Sequence, residues 1–307
     1  MGIGKQLAEV EETLEKAVAS DVEPLSKASK HIIRGGGKRL RPRVVLLSYL
    51  AAGGRDASSA VSLAAAVELL HTASLVHDDI NDQSDMRRGR ATVNAQWGDR
   101  VALLAGDFMF IRLLSLIAPF GRRVIQTLAD CCTAIVEGET LQMLGVTHDE
   151  MTEELYLNTI RLKTASLFSA GAELGGMLAE GTEQQIAALR SYGVNLGMAF
   201  QIRDDTLDLV GKREALGKPV ALDLEQGKMS LATLFALRTS EGAKEVLSSK
   251  NPAQVMDLLQ QSGALEYAMQ RARDYSNWGK DALSTMPPSQ AIAELTELAD
   301  FAVRRDR

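Results

Sequence analysis

Asp78-Asp79-Ile80-Asn81-Asp82 ends a long apolar stretch that starts near Ala57, and Asp204-Asp205-Thr206-Leu207-Asp208 ends a second one. Apolar residues recurring at helical spacing read as helix, so each cluster stands where a soluble helix would ordinarily bury Leu or Val. Side chains four apart share a helix face, which aims Asp78 with Asp82, and Asp204 with Asp208, in one direction each. Crowded carboxylates repel. They become tolerable around a shared cation, and two such clusters suit hard divalent ions gathered on a polyphosphate. The first cluster also lies at a helix C-terminus, where the backbone already carries partial negative charge.

Around these clusters the chain reads as helix nearly throughout. Its 307 residues include only 7 Pro, aromatics make up 5%, and Ala- and Leu-rich stretches recur, with no linker in view. The expectation is one all-α domain over residues 1–307. A first helix is expected over about residues 3–18, a break at Gly35-Gly36-Gly37, and a new helix after Arg41 with Pro42 in its first turn. Helical periods follow near 99–118, 121–143, 149–180 and 184–210. Gly211, Gly217, Pro219 and Gly227 mark a loop. Helices resume from about Ser230 to Arg304, broken near Asn251-Pro252 and at Pro287-Pro288, and no sustained β alternation appears.

Composition also excludes some functions. A net charge of −6 supplies no global basic field for nucleic acid or an anionic membrane, so any bound anion must meet a local basic patch. Cys131 and Cys132 are sequence neighbours, a poor arrangement for a disulfide, which favours a reducing cytoplasm. No signal-peptide core is visible at the N-terminus. Val101 to Phe120 is the longest apolar run, but Asp107 and Arg112 interrupt it, so it reads as a buried core helix and not a membrane span.

Local basic patches do exist. Gly37-Lys38-Arg39-Leu40-Arg41-Pro42 is either a solvated turn or an anion site in which flexible glycines let backbone N–H groups, Lys38 and Arg41 converge. Arg87 and Arg88 follow the first aspartates. Guanidinium forks bind phosphate oxygens, which suits a metal-diphosphate complex; the alternative is an arginine that only neutralises Asp82 or Asp85. His71 lies two helical turns before Asp78, where a satisfied core histidine is the commoner case. Gln201 is one turn before Asp204, Lys218 and Lys228 lie in the loop after that cluster, and Lys163-Thr164 is unremarkable alone. Glu139 and Gln142 share a helix face, where a structural hydrogen-bond role competes with a catalytic one.

Taken in order, Gly-Gly-Lys-Arg-Leu-Arg-Pro at 36–42, His71 through DDIND with Met86-Arg87-Arg88-Gly89, Gly106-Asp107, Gly138-Glu139, Lys163-Thr164, Phe200-Gln201 through DDTLD, and Gly217-Lys218-Pro219 resemble the trans-isoprenyl (polyprenyl) diphosphate synthases. The ordering covers about residues 25–240. It implies the isoprenoid synthase fold, antiparallel helices around a central active-site cavity. By matching position, Lys38, Arg41, His71 and Arg88 would bind isopentenyl diphosphate. Arg87, Lys163, Thr164, Gln201, Lys218 and Lys228 would hold the allylic diphosphate, and Asp78, Asp79, Asp82, Asp204, Asp205 and Asp208 would bind Mg²⁺. The chemistry would rest chiefly on Asp78, Asp79, Asp82, Arg87, Lys163, Asp204 and Lys218. Met229-Ser230-Leu231-Ala232 departs from the family's more usual Thr-Leu-Pro and puts the local turn in doubt.

The resemblance implies ionisation of the allylic diphosphate, attack by the isopentenyl double bond and loss of a proton, away from water. Product length would depend on the residues below Asp78. Ser74, Ala73 and Leu70 lie one and two turns back, a descent of about 12 Å. Short-chain members tend to carry an aromatic at one of the nearer positions. Here both are small, so a C30 or longer product from farnesyl or geranylgeranyl diphosphate is expected. A geranylgeranyl diphosphate synthase and a non-catalytic subunit of a heteromeric synthase are the alternatives. The second is disfavoured because all six aspartates are kept. A di-iron carboxylate protein would want Glu-x-x-His pairs, which are missing. A homodimer without a transmembrane segment or nucleic-acid partner is expected.

Overall fold

The helix that carries the first aspartates is α4, Val61–Asn81, entered through a 3-10 turn at Ala57–Ala60. Leu63, Ala64, Ala65, Ala66, Val67, Leu69 and Val76 are all fully buried, so α4 is sheathed on nearly every side. Its end is set by the backbone. Gln83 takes a left-handed φ of 49°, Ser84 N–H donates to Asp79 O at 2.9 Å and Gln83 N–H to Ile80 O at 3.2 Å. This is a Schellman termination with glutamine in the place glycine usually fills.

The computed structural model describes residues 2–144, 151–210, 229–249 and 251–304. These form two compact units. The first comprises Met1–Ala129, Ala170–Leu189 and Met286–Ile292, the second Asp130–Ser169, Arg190–Thr285 and Ala293–Arg307. In the first, α1 (Gly4–Ala17), α2 (Glu23–Ile33), α3 (Leu40–Ala51), α5 (Val93–Trp97) and α6 (Asp99–Ile117) surround α4, with α6 packed along its length. Leu14, Ile33, Leu46, Leu69, Met109 and Leu113 close the core. Helix α3 begins two residues earlier than the sequence suggests. Pro42 is its third residue, and the missing proline N–H costs nothing because the first helical bond runs from Arg43 N–H to Arg39 O.

The helices α7 (Gly121–Met143), α9 (Ser166–Leu178), α10 (Glu183–Val210) and α15 (Gln290–Arg304) contribute to both units. The second unit also contains α8 (Glu153–Ile160), α11 (Leu231–Thr239), α12 (Ala243–Ser248), α13 (Pro252–Gln261) and α14 (Ala264–Leu283). Ile202, Leu231, Leu259, Ala268 and Ala272 lie at the centre of its core. The doubtful turn at 229–232 is a helix start. Ser230 caps α11 in a capping box with Thr233, its Oγ accepting from Thr233 N–H at 3.3 Å while Thr233 Oγ1 accepts from Ser230 N–H at 2.8 Å.

Two expectations need correction. The helical run expected over 149–180 is divided by a π segment at Arg161–Ala165. The Val101–Phe120 helix is buried on one face only. Ala102, Ala105, Met109 and Leu113 are packed, whereas Leu104 and Ile111 are 57% and 59% exposed, with Leu103 and Leu114 beside them. Aliphatic residues run all round this helix, so hydropathy alone does not say how many sides its neighbours cover. Ala57–Asn81 and Asp99–Met143 are long and apolar enough to cross a membrane by composition, but the apolar window of the first is 72% buried inside the protein. Among the described residues the only strands are Met86–Arg87 and Arg90–Ala91, a minimal antiparallel hairpin.

Candidate active site

That hairpin places the arginines that follow the first aspartates. Arg88 and Gly89 both have positive φ, 52° and 74°, as a tight two-residue hairpin loop requires. Its base is stitched to the end of α4. Thr92 Oγ1 donates to Ser84 O at 2.7 Å, and Asn94 Nδ2 to the same carbonyl at 3.1 Å. Arg87 then reaches back to Asp79, donating from Nε to Oδ1 at 2.8 Å, with Nη2 also 2.8 Å from that oxygen. Asp79 is 1% exposed, so this is a buried, charge-assisted clasp. Arg88 donates to Gly36 O, which ties the hairpin loop to the glycine run before Lys38.

These elements border a pocket, partly open to solvent, lined by His71, Thr72, Asp79, Arg87, Arg88 and Arg90. His71 lines this pocket and is half-buried. Desolvation first, then the guanidinium charges of Arg41, Arg88, Arg87 and Arg39, hold its pKa well below the usual histidine value. It is therefore a neutral imidazole at neutral pH, able to donate a hydrogen bond without adding charge. Arg41 is half-buried and acts on His71 through its charge, while Lys38 is exposed at the mouth of the glycine turn. Lys38 and Arg41 lie outside the cavity lining. Leu70 and Ala73 are packed at 4% and 3% exposure, and Ser74 is half-exposed with its hydroxyl on His71 O at 2.8 Å.

In the second unit the π segment presents Lys163 and Thr164. Its signature is the bond from Ser166 N–H to Arg161 O, five residues back. Lys163 is ion-paired with Glu139 and donates to Gln142 Oε1 at 2.6 Å, so the two α7 residues of undecided role hold this lysine. Gly138 makes the approach possible. A β-carbon there would lie 2.5 Å from the Lys163 backbone nitrogen. Gly197 does the same for α10, where a β-carbon would meet Ala165 Cα at 2.5 Å. One turn on, Gln201 accepts from Thr164 Oγ1 at 2.8 Å and donates to Asp205 Oδ1 at 2.7 Å. The other Asp205 oxygen accepts from the Tyr156 hydroxyl at 2.6 Å. Burial, reinforced by the Asp205 charge, pushes the Tyr156 pKa well up, so the phenol keeps its proton and stays a donor.

Asp79 and Asp205, the second of each cluster, are committed to protein donors. Asp79 is buried, Asp78, Asp82, Asp204 and Asp205 are half-exposed and Asp208 is exposed. Among the described residues no three His, Cys, Asp or Glu groups converge as a finished metal cage. Within each cluster the outward pair is a hard oxygen donor set on one helix face, which fits a divalent ion that completes its shell with diphosphate oxygens and water. Lys218 and Lys228 lie outside the described residues. Sequence reasoning missed Tyr156, which belongs to no motif that would signal a carboxylate partner on α10, and Arg39 with Glu68, which are taken up below.

A model of the polyprenyl synthetase family matches residues 22–262. The chain belongs to that family. It is 39% identical to the short chain isoprenyl diphosphate synthase of Methanothermobacter thermautotrophicus, over 100% of this chain and 98% of the relative. It is 36% identical to the octaprenyl diphosphate synthase of Escherichia coli, over 99% and 97%. Among solved structures, a polyprenyl synthase from Caulobacter crescentus complexed with calcium and isoprenyl diphosphate superposes with a TM-score of 0.93 at 35% identity, covering 99% of this chain and 96% of that one. As a polyprenyl synthetase with the all-α isoprenoid synthase fold, the protein is a trans-prenyl diphosphate synthase, a prenyltransferase of isoprenoid biosynthesis. The relatives range from short-chain enzymes to an octaprenyl synthase, so membership leaves product length open.

Proposed function

We propose that this prenyltransferase, acting through residues 1–307 as one catalytic domain, extends farnesyl or geranylgeranyl diphosphate with isopentenyl diphosphate to an all-trans product of C30 or longer. The observation that carries the product length is the pair Ala73 and Ser74, both small, in the turn directly before Asp78. No aromatic ring stands there to stop a growing chain.

Asp78, Asp82, Asp204 and Asp208 would hold Mg²⁺, with Asp79 and Asp205 anchoring their helices. When bound, the ions supply positive charge to diphosphate oxygens. Arg87, Lys163, Thr164 and Gln201, with Lys218 and Lys228, would hold the allylic diphosphate and stabilise its departure as the C–O bond breaks and the leaving group takes the electron pair. Lys38, Arg41, His71 and Arg88 would hold isopentenyl diphosphate so that its double bond attacks the allylic cation. Loss of a proton to the released diphosphate restores neutrality. A neutral His71 suits this arrangement, because it orients a phosphate oxygen without offering a proton.

Purified protein supplied with farnesyl diphosphate, isopentenyl diphosphate and Mg²⁺ is expected to give products of C30 or longer by mass analysis. A C15 or C20 end product would overturn the chain-length reading in favour of the geranylgeranyl alternative, and no product at all would favour the non-catalytic subunit. The exposed face formed by Leu103, Leu104, Ile111 and Leu114 supports a homodimer, since monomers rarely leave so continuous an apolar stripe in water. Light scattering is expected to report twice the 33.2 kDa chain mass, and a monomer throughout would refute the dimer. The free cysteines Cys131 and Cys132 fit a reducing cytoplasm.

A further inference from the structure

Arg39 stands between Lys38 and Arg41, yet the reading above gives it no part. Its backbone is left-handed at φ 48° and ψ 43°, at the N-cap of α3, a conformation that a residue with a β-carbon keeps only when its surroundings hold it there. The side chain does the holding. It is 12% exposed and turns inward, with Nη1 donating to Glu68 Oε1 at 2.9 Å. Nε and Nη2 both donate to Glu11, Nη2 at 2.9 Å, and Nη2 also donates to Ile33 O at 2.8 Å. One side chain thereby joins α1, the end of α2, the start of α3 and the middle of α4.

Glu68 makes the arrangement functional. It lies one turn before His71 on α4, its side chain is 7% exposed, and it lines the same cavity as Arg39 and His71. A carboxylate in the wall of a cavity meant for diphosphate repels its ligand unless a cation cancels it, and at this depth solvent does little of the screening.

We infer that Arg39 is a positioning residue for the isopentenyl diphosphate half of the site: it fixes the turn that presents Lys38 and Arg41, and it cancels the Glu68 charge. It acts without touching substrate. This rests on Lys38, Arg41 and His71 being the ligands of that diphosphate.

Steady-state kinetics on the full chain separate the possibilities. Arg39→Met is expected to raise KM for isopentenyl diphosphate at least about tenfold, while kcat at saturation changes by less than about threefold and the allylic KM by less than about twofold. Adding Glu68→Gln to Arg39→Met is expected to recover at least about threefold of that KM, whereas Glu68→Gln alone moves it by less than about twofold, a non-additive cycle. An unchanged isopentenyl diphosphate KM, an equal rise in both KM values, or an additive cycle overturns the inference. Should Arg39→Met not fold, Arg39→Lys keeps the charge but not the fork, and a rise of roughly threefold in the same KM is expected; no rise overturns the inference. Lys38→Ala is the control. If it too leaves that KM unmoved, it is the ligand assignment that fails.

Discussion

Asp78→Asn is expected to lower turnover by roughly 10³-fold while leaving the thermal midpoint where it is. Asp78 is half-exposed and its carboxylate sits in the last turn of α4, where helix carbonyls already concentrate negative charge. Losing that charge costs the protein little stability but removes a donor from the outward pair with Asp82. Asp79→Ala should behave differently. It strips Arg87 of a buried partner, a change worth about 3 kcal/mol of stability, and frees the hairpin that carries Arg87 and Arg88. Thermal melts and a diphosphate-release assay on the two variants test this division of labour. Full activity in Asp78→Asn would refute the metal assignment. An Asp79→Ala protein that melts like the wild type would show that Asp79 is no anchor.

Ala73→Phe is expected to shorten the product by several isoprene units, read by mass analysis against the wild-type distribution. Ala73 is 3% exposed, so the ring presses on packed neighbours, at an overpacking cost of about 1–3 kcal/mol. Ser74→Phe starts from a half-exposed position and should shorten the product with a smaller loss of stability. An unchanged length distribution in both variants would mean that the chain is stopped elsewhere.

The aspartate helices were legible in the sequence because charge inside an apolar helical pattern is rare and specific. Both clusters do end or nearly end their helices, at Asn81 and Val210. The helix breaks at Asn251-Pro252 and Pro287-Pro288 were legible for the same kind of reason, a residue with strong local preference. The breaks before Ala243 and Ala264 were not read, although Gly242 and Gly263 take left-handed conformations there, because an isolated glycine inside a helical pattern is ambiguous. The hairpin at 86–91 was missed because two-residue strands have no room to show alternation. The residues proposed to touch substrate or metal fell within motifs, save Lys228. Tyr156 and Glu68, which act through others, fell in no motif, and only a fold reveals whom they face.

The π segment at Arg161–Ala165 has one more consequence. With five residues closing each ring instead of four, the helix gains an extra residue, and the faces before and after it are out of phase by about 100°. Tyr156, before the segment, and Thr164, within it, both reach α10, the first through Asp205 and the second through Gln201. Removing a single residue from this segment would restore a regular helix and turn one of the two contacts away. A one-residue gap here would therefore act on the proposed allylic diphosphate site as a rotation, while the same gap in a surface loop would only shorten a path.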